Sequence, residues 1–492
     1  MSEVPINPQL TLMDFPGGTN QDHQGHVNRT EYQHMRSRED APLLASGSGT
    51  DSPDINDKER EVYFNDPQQE QKFSVRSQVI NLGNTIVGAG LMALPKVVQT
   101  LGIVTGVTAL VLVLLCTLKT LGYMLKESTR MNSTDFTHVV RQRLGVNAAR
   151  IQDFSIFINN VGLLIIYLRI ISDVLVGDAE YKGIITDFIS EKSILASPYL
   201  SVGVVTFCVL LPLSSLEKMD SLAAASASGL SLALLFSVIT IALSCVEISK
   251  NGLEGVSFGP NPLYFSGDLV KDVLTLVSVF PVIFTSLVCH YNLLHVKQDL
   301  PPRHYNKMPK IVRTAGCGCV GLYLLVASFG YILFKDKVQG DVLLNFGCDA
   351  LEPLVGDKGC IVIAVAVRSM YAIVLSMTFP LIHFALRQTE MSVLFEDRQQ
   401  RQAPAARWGI TLANLVVSYV LALKVPNIWT PLQITGAVAA GIIGFIIPSC
   451  LHLVAPAQER TMASMVTAWL LLLMGVLVGV VTLYQLATGN LG

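Results

Sequence analysis

Apolar runs of about 20 residues recur along this 492-residue chain from residue 75 onward, and a run of that length is what a helix needs to cross the hydrocarbon of a bilayer. Eleven spans are read, at roughly 75–99, 103–125, 154–176, 198–216, 222–247, 270–293, 314–334, 360–387, 406–425, 430–452 and 464–487. Lipid offers no partner to a backbone N–H or C=O, so each span must satisfy its own backbone, and the expected class is all-α. Composition agrees: 15% of residues are charged, against about 25% in soluble domains, and 51% are hydrophobic. A net charge of -2 gives no argument for a nucleic-acid partner. The sequence has no nucleotide-binding loop and no soluble catalytic segment, which argues against an enzyme and for the lipid bilayer as the chain's solvent.

Residues 1–72 are polar and rich in Gly, Ser, Asn, Asp, Gln and Pro, too poor in apolar surface to fold alone, so a disordered cytosolic tail is expected ahead of a membrane domain at 73–490. Within the tail, Glu39-Asp-Ala-Pro-Leu43-Leu44 resembles an acidic dileucine sorting signal, which would make a sorting adaptor a partner. Orientation follows from Lys and Arg in the loops. Lys126, Arg130, Arg141, Arg143 and Arg150 follow span two, Lys297, Arg303, Lys307, Lys310 and Arg313 follow span six, and Arg387, Arg398, Arg401 and Arg407 follow span eight. These loops share one face, predicted cytosolic together with the N-terminus. The opposite loops carry Asp178, Glu180, Asp187, Glu191, Asp341, Asp349, Glu352 and Asp357. Cys348 and Cys360 flank one of these acidic loops and could pair where the compartment is oxidising.

Two spans are written in a way a plain anchor would not be. Span one contains Asn81, Gly83, Asn84, Thr85, Gly88, Gly90 and Pro95. Glycines and a proline weaken a helix, and unwound backbone at membrane depth survives only where it is buried in protein or lines a cavity. Span six, five spans later, has Pro281 followed by Phe284, Thr285, Ser286, Cys289 and His290. Interrupted helices in corresponding positions of two halves are the mark of a secondary transporter with an inverted repeat. A broken helix exposes N–H groups and a positive dipole end that suit a carboxylate, while carbonyl ends suit an ammonium or a sodium ion. An α-amino acid matches this pattern.

Other intramembrane polar residues have quieter readings. Arg169 and Asp173 lie one turn apart on span three and are expected to pair near its outer end; Arg368, near the outer start of span eight, is expected to snorkel in the same way. Asn159 and Asn160 could reach a central cavity, although nearby Gly162 suggests close packing. The small-residue run at 223–229 has the character of tight helix packing. His290 and His383 are candidates to carry or sense protons, with a buried neutral histidine bonded to a neighbouring helix as the plainer alternative.

Several motifs in order resemble the amino acid/auxin permease family, and within it the sodium-coupled neutral amino acid transporters and the plant and algal vacuolar amino acid transporters. They are Asn81-x-x-Asn84-x-Ile-Val-Gly88-x-Gly90-x-x-x-Leu94-Pro95 in span one, Tyr167-Leu-x-Ile170-Ile-x-Asp173-x-Leu175 in span three, Cys289-His290 in span six, and Val367-Arg368 with Thr378, Pro380, Phe384 and Arg387 in span eight. The resemblance implies 11 transmembrane helices in a leucine-transporter-like 5+5 inverted repeat with helices 1 and 6 broken. It implies a transporter of amino acids, neutral ones by the sodium-coupled branch, working by alternating access with spans one, two, six and seven rocking against three, four, eight and nine. Asn84 and Thr378 fall on positions proposed to bind sodium in that family. Thr85, Ile86, Gly88, Ala89, Gly90, Phe284, Thr285 and Ser286 are the expected substrate-binding residues. No cofactor is implied beyond a coupling ion, sodium or proton. Two departures stand out: Gly88-Ala89-Gly90 replaces the more usual Gly-Ser-Gly, and His295-Val-Lys297-Gln-Asp299-Leu300 replaces Pro-x-Tyr-x-Glu-Leu, which bears on cytosolic gating. A vacuolar or lysosomal membrane is favoured, with the plasma membrane open. The alternative function is a membrane amino acid sensor that signals through the cytosolic tail.

Overall fold

The structure is a computed structural model and describes residues 75–178, 181–189, 193–216, 223–395 and 403–488. The sorting motif at 39–44 lies outside the described residues. Among these residues there is no strand, only one isolated bridge between Gly177 and Lys182. The helices are α1 (Val75–Ile86), α2 (Gly90–Leu101), α3 (Ile103–Arg130), α4 (Phe136–Leu144), α5 (Val146–Leu175), α6 (Pro198–Ser214), α7 (Ala223–Asn251), α8 (Leu269–Leu287), α9 (His290–Gln298), α10 (Met308–Phe334), α11 (Val342–Asn345), α12 (Cys348–Leu394), α13 (Pro404–Lys424), α14 (Trp429–Leu453) and α15 (Met462–Ala487).

Nine helical segments among the described residues are long and apolar enough to cross a membrane. Two of the eleven expected spans fall outside that count for evident reasons. The first is divided into α1 and α2, of 12 residues each, and the fourth, α6, is a shorter apolar helix. Several helices outrun their apolar cores because polar ends remain helical beyond the hydrocarbon. α5 starts at Val146 rather than near 154, and α12 starts at Cys348 rather than near 360. α12 is bent at Gly356, whose φ of 75° is open to glycine and strained for other residues. The stretch expected as a loop between Cys348 and Cys360 is thus largely helical, and the two cysteines form a disulfide with Cα atoms 5.0 Å apart.

Burial sorts the helices. The apolar windows of α14 and of the α8–α9 span are 72% and 67% buried, whereas those of α13 and α15 are 22% and 28% buried. On α15, Trp469, Leu470, Leu473, Leu477 and Val480 are exposed, as are Leu412, Val416 and Val420 on α13. Such an apolar belt is stable only against lipid. Inside it, α5 packs along α12 and α13, and α10 touches α1, α2, α3 and α7. α14 contains two π-helical stretches, Thr435–Ala440 and Ile442–Ile446, and Gly436 there lies so close to the Pro281 carbonyl of α8 that a Cβ would overlap it. Wide π turns of this kind are frequent at functional sites.

Candidate functional site

The first interruption occupies residues 87–89. α1 closes with the Val87 N–H donating to the Gly83 carbonyl at 2.8 Å, and α2 opens with Leu91 N–H on the Gly88 carbonyl at 3.2 Å. The second occupies residues 288–289. Val288 N–H donates to the Phe284 carbonyl at 2.9 Å, the chain then extends (Val288 ψ 115°), and α9 begins at His290. Span six therefore breaks after its serine and threonine and not at Pro281, which sits inside continuous α8. Gln433 of α14 donates to the Ser278 carbonyl at 3.1 Å in the preceding turn.

The two breaks face each other. Gly90 packs against Ser286 so closely that a Cβ on Gly90 would overlap the Ser286 Oγ and come within 2.8 Å of its Cα. The Tyr323 hydroxyl, from α10, lies 2.6 Å from the Ile86 carbonyl and 3.0 Å from the Ser286 carbonyl. One phenolic proton thus serves the carbonyl ends of both α1 and α8. Tyr371, from α12, donates to the Gly88 carbonyl at 2.9 Å, and Tyr167, from α5, places its hydroxyl 2.9 Å from where a Gly88 Cβ would be. On the other side of the break, Asn292 of α9 donates to the Thr85 hydroxyl of α1 at 2.6 Å. Tyr323, Tyr371 and Asn292 were not singled out from the sequence. A tyrosine in an apolar span is an unremarkable residue until its hydroxyl needs a partner.

Replacing Tyr323 by Phe keeps the ring and removes the shared donor. A buried carbonyl left without its partner costs about 1–3 kcal/mol. The expected result is a roughly tenfold or larger fall in amino acid flux with the melting temperature changed much less. Flux within twofold of the parent protein would show that the bond between the two breaks is incidental.

The other expected site residues are distributed as follows. Asn84 is buried, with Oδ1 3.0 Å from the position of a Cβ on Gly229 of α7; Val374 of α12 approaches the same point at 3.7 Å. Thr378 lies one turn further along α12 and its hydroxyl donates to the Val374 carbonyl at 2.7 Å, leaving its oxygen lone pairs available. Gly229, at the end of the small-residue run of α7, therefore packs closely against Asn84. Thr285 is turned toward α14, its hydroxyl 3.0 Å from both the Pro281 and the Leu432 carbonyls. Ser286 is buried and donates to the Val282 carbonyl. Phe284 packs against Phe445 of α14 with ring centroids 4.4 Å apart and the planes tilted by 37°. His290 Nε2 meets the Thr120 hydroxyl at 2.9 Å, and its Nδ1 has no hydrogen-bond partner among the described residues. His383 is buried against Phe379, with neither ring nitrogen hydrogen-bonded among the described residues. Asn159 and Asn160 bond to each other at 3.3 Å, while Gly162 lies against Thr435. Lys297, in the altered segment after span six, is buried and donates to Ser128 at 2.8 Å, joining α9 to the end of α3.

A sequence profile described as transmembrane amino acid transporter protein matches residues 71–488. The chain belongs to the transmembrane amino acid transporter family. Within the transporter family, it is 31% identical to amino acid transporter AVT6B of Arabidopsis thaliana, over 79% of this chain and 85% of that one. It is 29% identical to AVT6E of the same plant, over 84% and 82%. It is 26% identical to sodium-coupled neutral amino acid symporter 2 of Danio rerio, over 81% and 79%. Among solved structures, a Na+-coupled sialic acid symporter in a substrate-bound outward-open state aligns with 83% of this chain and 90% of that one, at a TM-score of 0.46 and 11% identity, a likeness too low to carry mechanism.

Proposed function

We propose that this protein is a secondary active transporter that moves neutral amino acids by alternating access, coupled to sodium or to protons. The observation that carries the reading is the meeting of two helix breaks inside one bundle, joined by Tyr323 and by the Gly90–Ser286 contact. In this reading the substrate carboxylate meets backbone N–H groups at residues 88–90, where the α2 dipole adds favourable potential. The ammonium meets the Ile86 and Ser286 carbonyls beside the Tyr323 hydroxyl, with Thr85, Thr285 and Phe284 around them. A sodium ion would take oxygen from Asn84 and Thr378, whose donor types fit a hard cation. Under proton coupling, His290 and His383 supply titratable nitrogens within the bundle. The close packing of α5, α12 and α13 supports their service as a scaffold against which the broken spans rock. The disulfide supports an oxidising compartment at the acidic end, and hence a cytosolic basic end and N-terminus. A vacuolar or lysosomal membrane suits that arrangement.

The test is uptake of labelled alanine, glutamine and leucine into proteoliposomes under an imposed sodium or proton gradient. Concentrative uptake under one gradient is expected. No flux of any of the three under either gradient would sink the reading. Asn84→Ala is expected to weaken sodium activation about tenfold, the worth of one lost ligand; unchanged activation would remove Asn84 from the cation site.

A further inference from the structure

At the acidic end of the bundle, charged side chains from α5, α11, α12 and the short helix Ile184–Phe188 converge, with Asp173, Asp341 and Arg368 buried and Asp187 open to water. Arg169 and Asp173, one turn apart on α5, pair at 2.7 Å. Arg368 of α12 is 1% exposed. It donates to the Leu343 carbonyl at 3.2 Å, to the Leu344 carbonyl at 3.1 Å and to Asp187 Oδ2 at 3.3 Å. Asp341 begins α11 and accepts the Leu343 N–H on Oδ1 at 2.9 Å. Asp341 is 2% exposed, and its Oδ2 is buried without a hydrogen-bond partner among the described residues. Arg169 and Arg368 thus face Asp173, Asp341 and Asp187, so carboxylates outnumber guanidinium groups by one in this cluster. Exposed Asp178, Lys182 and Asp349 stand at its edge.

An unpartnered buried carboxylate oxygen is costly as an anion and inexpensive as a carboxylic acid. We propose that Asp341 is a proton-binding site: its Oδ2 takes up one proton from the acidic-side compartment as α2 and α11 close over the helix breaks and returns it there when they part. The inference rests on the transport reading above and assigns its closing step a pH-sensitive group other than the two histidines. Geometry links the site to the break. Lys96 and Gln99 of α2 donate to the Val338 and Lys335 carbonyls at 3.1 and 3.0 Å, so the segment that leads into Asp341 is tied to the half-helix that starts at Gly90. Tyr371, three residues after Arg368 on α12, holds the Gly88 carbonyl. Movement of α2 away from the bundle would draw this segment outward and wet the carboxyl.

Burial pushes the Asp341 carboxyl up to about 7, against the Leu343 N–H and the two arginines, which pull it down, and with Asp178, which adds to the rise. The sign follows. Because the folded protein holds this proton more tightly than the unfolded chain, the group's effect on stability is absent below the ordinary carboxylate range. It becomes increasingly unfavourable as pH rises from about 4 to about 7.

The experiment uses the full chain in nanodiscs, titrated between about pH 5 and about pH 8 while infrared difference spectra follow the protonated carboxyl band. The wild-type protein is expected to lose one carboxylic acid signal with a midpoint near neutrality. Asp341→Asn is expected to lack that signal, Asp187→Asn to keep it, and Asp341→Glu to keep it with a shifted midpoint. Absence of any such signal in the wild type, or its persistence in Asp341→Asn, overturns the proposal whether or not other variants fold. Parallel alanine flux separates the two readings. A signal lost in Asp341→Asn without flux in any protein leaves the proton site standing and removes transport. Flux whose pH dependence is the same in wild type and Asp341→Asn removes the proton site from the cycle and leaves transport standing.

Discussion

Gly90→Ala is expected to abolish amino acid uptake, whereas Gly122→Ala is expected to leave it unchanged. The added methyl is the same in both, and alanine is the better helix former by about 1 kcal/mol. At Gly122 nothing lies within 4 Å of the new Cβ. At Gly90 the Cβ would overlap the Ser286 Oγ and crowd its Cβ and Cα. Backbone cannot move aside as the end of a flexible side chain can, so α2 and α8 must separate. Overpacking of this kind costs about 1–3 kcal/mol. Its functional effect is larger than the stability effect, because the separated elements are the two that form the break: the Tyr323 bridge between Ile86 and Ser286 spans only 2.6 and 3.0 Å. Initial rates of labelled alanine uptake, normalised to reconstituted protein, measure it. A Gly90→Ala rate within twofold of the parent would mean that the contact is not needed in the cycle.

Arg368→Met is expected to destabilise the protein by about 3–5 kcal/mol, the cost of removing one partner from a buried ionic group. The methionine fills much of the volume and supplies none of the donors. The Leu343 and Leu344 carbonyls lose their partner, and Asp187 and Asp341 lose a nearby positive charge. Arg368→Lys keeps the charge without the forked donor set and is expected to recover only part of the loss. Lys271, whose side chain is 75% exposed beside Asp268, provides the contrast: Lys271→Ala should be nearly silent. Thermal melting of the purified proteins in one detergent distinguishes the cases. A melting temperature for Arg368→Met equal to that of Lys271→Ala would show that the cluster contributes nothing to the fold.

The first helix interruption was legible residue by residue. Gly88, Gly90 and Asn84 are out of place in a plain anchor, and the structure interrupts the span at residues 87–89. The break in span six was placed less well. Pro281 is the conspicuous residue, but the chain leaves the helix at Val288, where no proline or glycine marks it. Pro281 removes one backbone donor yet α8 runs on through it, and nothing in the local sequence reveals that outcome. From its place near the end of an apolar span, Arg368 is expected to reach for the interface; it is buried because carbonyls of α11, 24 and 25 residues earlier, turn back onto it. Nothing in the local sequence marks Tyr323, since its acceptor on Ile86 is 237 residues away.

By itself, the sequence determined the helical membrane class, the approximate placement of the spans and the weakness of the first one. These follow from the exclusion of unpaired backbone and charge from lipid, a cost that each segment bears through its own composition. Only the tertiary structure decided where the second span breaks, that the two breaks meet, which tyrosine serves both, and that Asp341 is enclosed with an unpaired oxygen. Those outcomes depend on hydrogen-bond partners and close backbone contacts between residues distant in the chain, and short directional contacts leave no periodic trace in either partner's local sequence.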